Sequence, residues 1–131
     1  MTGILGRGAL SLLLWSAVAA PGQAADADGI APDPDLAVYT NCAVCHGASG
    51  EGRFGPAFKG NADLAEAGFV VGMILRGTEH MPSFRSQLSD EDIASVATYI
   101  RSHWGNNWSA VTPADVKRQR AEDAASEGSG H

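Results

Sequence analysis

Hydrophobic positions recur at helical intervals in several stretches of the chain, and strand-like runs are scarce. Asp33 and Pro34 are suited to open a first helix, in which Leu36, Tyr39 and Ala43 share a face. A second helix is predicted from about Ala67 to Arg76, with Val70, Met73 and Ile74 on the spacing of a core face and Gly77 as its stop. Met73 reads there as core packing. The third is the clearest. Ser89 and Asp92 form a capping-box pattern, and Asp90 and Glu91 suit the positive end of the helix dipole. Ile93, Val96, Ala97, Ile100 and Trp104 make one apolar stripe before Gly105 ends the run. Thr112-Pro113-Ala114-Asp115 reads as another cap, opening a short helix "PADVKRQRAED". Residues 47–62, "GASGEGRFGPAFKGNA", hold five glycines and a proline and read as a loop. The pattern as a whole is all-α.

The two ends differ from this body. Gly8 to Ala20, "GALSLLLWSAVAA", is an apolar run after Arg7, and "PGQA" follows it. This is the layout of a secretory signal peptide over residues 1–24, cleaved after Ala24. The run is shorter than the roughly 20 apolar residues that span a bilayer, so no membrane span is expected after cleavage; a retained anchor is the alternative. Residues 25–32 read as a flexible leader, 33–107 as one domain, and 108–131 as an extension ending in a polar, disordered tail, "AEDAASEGSGH".

Charge narrows the partners. The chain has formal charge −6; without residues 1–24 it loses Arg7 and no acid, leaving eight basic and 15 acidic residues and a charge of −7. Nucleic acid is not an expected partner.

The chemistry concentrates in "NCAVCHGASGEG", which holds both cysteines, Cys42 and Cys45, with His46 directly after the second. Three uses compete. A structural zinc site needs four ligands, and no second cysteine pair or paired histidine motif supplies them. A thioredoxin-like redox pair needs a strand leading into the cysteines, where "PDLAVYTN" looks helical, and it gives His46 no task. Covalent haem attachment uses all three residues: two thioethers to one porphyrin edge, and an imidazole under the iron. Export fits this use, since free thiols tend to oxidise outside the cytoplasm.

Together with "GPAFKG" and "MILRGTEHMPSFRSQLSDEDIASVATYIRSHWGN", this segment resembles the small class I c-type cytochromes over about residues 33–107. The resemblance implies helices wrapped around one covalently attached haem c, three to five in number. It implies His46 as proximal iron ligand and Met81, before Pro82, as distal ligand. It puts the carbonyl of Pro56 on the other ring nitrogen of His46, and Phe58 against the haem. Family members often have a glycine near Asp35, where the first helix crosses the last; here Ala37 is the available small residue. His80 is a rival for the distal position, and an open sixth site is a further alternative.

A haem with both axial positions filled has no place for substrate, and methionine opposite histidine raises its potential relative to two imidazoles. The reading is therefore a periplasmic monohaem electron carrier and not an enzyme. By analogy, its donor is a periplasmic dehydrogenase and its acceptor an oxidase or another cytochrome. The alternatives are an open-site haem protein that binds gases or catalyses redox chemistry, and a fixed cytochrome subunit of a larger oxidoreductase. The ending "WGN … VTPADVKRQRA" is similar to cytochrome subunits or fused domains that serve periplasmic dehydrogenases, and it reads equally as a helix covering the domain's own surface.

Overall fold

The computed structural model describes residues 34–130. The expected signal peptide and leader, the Asp33 cap and His131 lie outside the described residues. Among the described residues there are four α-helices and one 3-10 turn, with no strand: α1 (Pro34–His46), the turn Ala62–Ala65, α2 (Ala67–Arg76), α3 (Asp90–Ser102) and α4 (Pro113–Gly128). The all-helical expectation holds.

α3 is the spine, packing on α1, α2 and α4. Its start is fixed locally. The Ser89 hydroxyl accepts from the Asp92 amide while the Asp92 carboxylate accepts from the Ser89 amide, a cap worth about 1 kcal/mol. Ile93 and Val96 are fully buried with Leu75 and Val71 of α2, Tyr39 of α1 and Val116 of α4. Each such side chain contributes roughly 1.5–3 kcal/mol by leaving water.

The structure revises four local expectations. Leu36 does not join the face of Tyr39 and Ala43: it is exposed, and Val38 packs inward instead. Ala37 is also exposed, so it is not the small contact at the helix crossing. The Asp35 carboxylate accepts a hydrogen bond from the Ser95 hydroxyl between α1 and α3, and the buried small residues are Ala94 and Ala97 on α3. Trp104 lies beyond the end of α3, with φ 55°, in the left-handed region that costs a bulky residue about 1 kcal/mol or more. That turn swings its indole over the Tyr39 ring, 5.0 Å away between centroids. Finally, α4 continues through most of the stretch expected to be a disordered tail, because Asp123 within it is buried and ion-paired.

The extension is tied to the body by a buried guanidinium. Arg101 of α3 donates from Nε to the Leu64 carbonyl (2.8 Å), from Nη2 to Ala65 (2.9 Å) and from Nη1 to Ser109. Val111 adds a bond from its amide to the Thr98 hydroxyl at 2.9 Å.

Candidate functional site

Cys42, Cys45 and His46 occupy the last turn and a half of α1. Spacings of three and four residues put both thiols and the imidazole on one side of the helix. This is the C-terminal end, where the helix dipole disfavours a thiolate. Burial, and then the neighbouring Cys45, push the Cys42 thiol up to about 11. Reactive redox cysteines have the opposite shift. Among the described residues no three His, Cys, Asp or Glu side chains gather into a metal-holding cluster, so the four ligands of a zinc site are not assembled.

The glycine-rich loop folds back to finish α1. Gly47, Gly52 and Gly55 donate their amides to the carbonyls of Ala43, His46 and Cys45, at 2.9, 2.7 and 2.9 Å. These bonds satisfy carbonyls that a helix end leaves open. They also bring Pro56 against the imidazole, with His46 Nδ1 2.8 Å from the Pro56 carbonyl oxygen. A carbonyl only accepts, so Nδ1 carries the proton and the lone pair lies on Nε2. His46 is 7% exposed. Phe58 stacks on its ring, with centroids 4.1 Å apart at 16°. Gly55 is required by close approach: a Cβ there would lie 2.7 Å from His46 Cε1.

Cys42, Cys45, His46, Pro56 and Phe58 line a cavity of about 690 Å³ together with Met81 and His80. That volume lies within the range of cofactor and ligand sites. Its walls are largely apolar. Val70, Met73 and Ile74 come from α2, and Val96 and Ile100 from α3. The structure therefore assigns Met73 to the cavity wall, where the sequence suggested only core packing; the α2 stripe was its only signal.

Met81 is presented by a tight loop after α2. Gly77 stops that helix at φ 68°, and the Thr78 amide donates to the Met81 carbonyl at 2.7 Å. The Thr78 hydroxyl accepts from the Met81 amide at 3.1 Å. A Cβ on Gly77 would lie 2.3 Å from the Met81 carbonyl oxygen, so this position also needs glycine. Met81 is half-buried against the core, whereas His80 is exposed.

These residues fit a large, flat, covalently held cofactor. Two thiols and an oriented imidazole sit on an apolar cavity with a thioether-bearing loop on its wall. Comparison with known proteins agrees. Residues 34–100 match the family described as cytochrome c oxidase, cbb3-type, subunit III. The chain is 35% identical over 100 residues to the cytochrome c subunit of a quinone alcohol dehydrogenase from Gluconobacter oxydans (strain 621H), covering 64% of this chain and 21% of that protein. It is 40% identical over 76 residues to cytochrome c6 of Leptolyngbya boryana, covering 52% of this chain and 86% of that one. It is 32% identical over 98 residues to the fructose dehydrogenase cytochrome subunit of Gluconobacter japonicus, covering 61% and 20%. The chain thus spans about a fifth of each dehydrogenase subunit and most of the cytochrome c6. With over half of its length matched by one cytochrome family, and the geometry that such proteins need, the chain belongs to the class I c-type cytochromes and carries covalently attached haem c.

Proposed function

We propose that the protein is an exported single-electron carrier in which Cys42 and Cys45 anchor one haem c and His46 and Met81 are its axial ligands. The observation that carries this reading is the buried His46 imidazole, fixed by Pro56 at 2.8 Å on a cavity that the Met81 loop also lines. The bound group supplies a reversible one-electron iron couple.

The chain's own residues have positional tasks. The Pro56 carbonyl holds the proton on Nδ1 and would so leave Nε2 to hold the iron. Phe58 limits rotation of the ring by stacking on it. The thiols of Cys42 and Cys45 would hold the group against α1 by adding across its two vinyl groups, each S–H adding sulfur to one carbon and hydrogen to the other. Met81 is favoured over His80 because it is half-buried against the core and its loop is pinned by Thr78. The apolar side chains of α2 and α3 keep water away and favour a raised potential. Phe54, 85% exposed, and Phe69 also line the cavity, so they mark where it reaches the surface and where a partner would dock.

The setting is supported by the relatives and by the apolar run near Arg7. No helix among the described residues is long and apolar enough to cross a membrane. The apolar run before Ala24 supports export and a periplasmic location. Relatives named as dehydrogenase cytochrome subunits support a dehydrogenase as donor, with an oxidase or another cytochrome as acceptor. The charge of −7 left after cleavage, from eight basic and 15 acidic residues, would steer the protein to a basic patch, with association slowing as salt rises.

A potentiometric titration tests the function. A reversible one-electron couple, with slow CO binding by the reduced protein, is the expected result. Immediate CO binding would instead indicate an open distal site and redirect attention to gas binding or redox catalysis.

A further inference from the structure

The family match ends at residue 100, and α4 lies wholly beyond it. Its contacts converge on the loop that carries Met81. Asp123 is 4% exposed. Its Oδ1 accepts from Arg76 Nη1 at 2.6 Å and its Oδ2 from Arg85 Nη2 at 3.1 Å. Arg76 is the last residue of α2, immediately before Gly77, and Arg85 follows Phe84. One carboxylate therefore grips both ends of the 77–84 segment. Gln119 Nε2 donates to the same Asp123 oxygen at 3.0 Å and holds it in place.

A second clamp lies one turn away. Arg120 donates from Nε to Asp90 Oδ1 at 2.7 Å, from Nη1 to the Arg85 carbonyl at 2.6 Å and from Nη2 to the Leu88 carbonyl at 2.9 Å. It thus fastens the chain leaving the loop to the start of α3. On the facing helix, a Cβ at Gly72 would lie 2.7 Å from Arg76 Nη1, so the guanidinium is seated where glycine leaves room. Within the loop, Phe84 donates its amide to Ile74 at 3.0 Å and the Ser83 hydroxyl donates to the Leu75 carbonyl at 2.6 Å.

We propose that α4 is a strap that holds the 77–84 loop closed, with Asp123 and Arg120 as positioning residues for Met81. The proposal rests on the reading of Met81 as distal ligand. Opening of the loop would withdraw the thioether and free the position for an outside ligand. The strap sets how rarely that occurs. It gives the extension a task at the metal although none of the residues lining the cavity belongs to α4.

The test uses the full-length holoprotein, wild type, Asp123→Asn and Arg120→Gln. Ferric protein is titrated with imidazole, which binds only when the distal position is free. Hydrogen exchange is followed at the Thr78 and Phe84 amides and in the middle of α3. Loss of a charge-assisted bond should raise the apparent imidazole affinity about tenfold, with similarly faster exchange at Thr78 and Phe84. Exchange in α3 should not change. If Asp123→Asn prevents folding, Arg85→Gln removes the same bracket from the half-buried side.

Unchanged affinity and loop exchange in folded variants would overturn the strap. Equal acceleration in α3 would overturn it as well, since α4 would then support only global stability. Absence of a sulfur-to-iron charge-transfer band in the wild type would remove the Met81 assignment alone. The exchange at Thr78 and Phe84 would still judge whether α4 holds the loop.

Discussion

His46 illustrates how much a single imidazole depends on residues that do no chemistry. Its orientation comes from one carbonyl, at Pro56, and its clearance from one missing methyl, at Gly55. Gly55→Ala should push the ring off the Pro56 carbonyl. A loss of about 1–3 kcal/mol in holoprotein stability is expected, from the unmade bond and the steric shift. Denaturant titration measures it; an unchanged midpoint would show that the loop absorbs the methyl. At this scale the sequence was informative. Cys42, Cys45, His46 and Pro56 come together through short local spacings, and each lies within one helix turn or one loop of the next. Met81 was reached by resemblance, and the cavity wall on α2 was not reached at all. Met73 at a helical interval looks the same whether it faces a core or a cofactor.

Elements were legible where their signals are local. The caps at Ser89 and Thr112, and the stop at Gly77, lie where side-chain chemistry predicts. α4 was underestimated because its anchor is remote. Asp123 pairs with Arg76 and Arg85, 47 and 38 residues earlier, and no local pattern reports such pairs. The start of α4 also carries a pH dependence. The Thr112 hydroxyl and amide, then Arg118, lower the Asp115 carboxyl to about 2. An unfolded chain returns it to about 3.9. A depressed pKa means stability present above the unfolded value and lost as the pH falls through the folded one. The start of α4 should therefore loosen between about pH 4 and pH 2. Far-ultraviolet circular dichroism should show this component missing in Asp115→Asn. An identical acid profile in the variant would contradict the assignment.

The described residues form a small set of helices packed on a shared apolar core and cross-linked at a few charged points, of which Arg101 is one of the most buried. Its buried guanidinium reaches the turn before α2 and the segment before α4 at once. Burial lowers its pKa, with Glu66 opposing at longer range; among the described residues no carboxylate pairs with it at hydrogen-bond distance, and three carbonyls carry the compensation. Lysine offers a single ammonium on a flexible stem and cannot reproduce that fork. Arg101→Lys should lower stability by about 3 kcal/mol, as read by denaturant unfolding. A change within about 0.5 kcal/mol, typical of a surface substitution, would mean that the fork is dispensable. The all-helical class was visible from periodicity, whereas this cross-linking was not, because a buried arginine in a helix looks like any exposed one in sequence.

His46 and Met81 are proposed as the two iron ligands, and an optical experiment tests that pairing. Spectra of oxidised and reduced holoprotein should be compared for wild type and Met81→Ala. A long-wavelength ferric charge-transfer band from sulfur ligation is expected in the wild type and should be lost in the variant, with CO binding becoming fast only in the variant. A wild type without that band that binds CO at once would contradict the pairing.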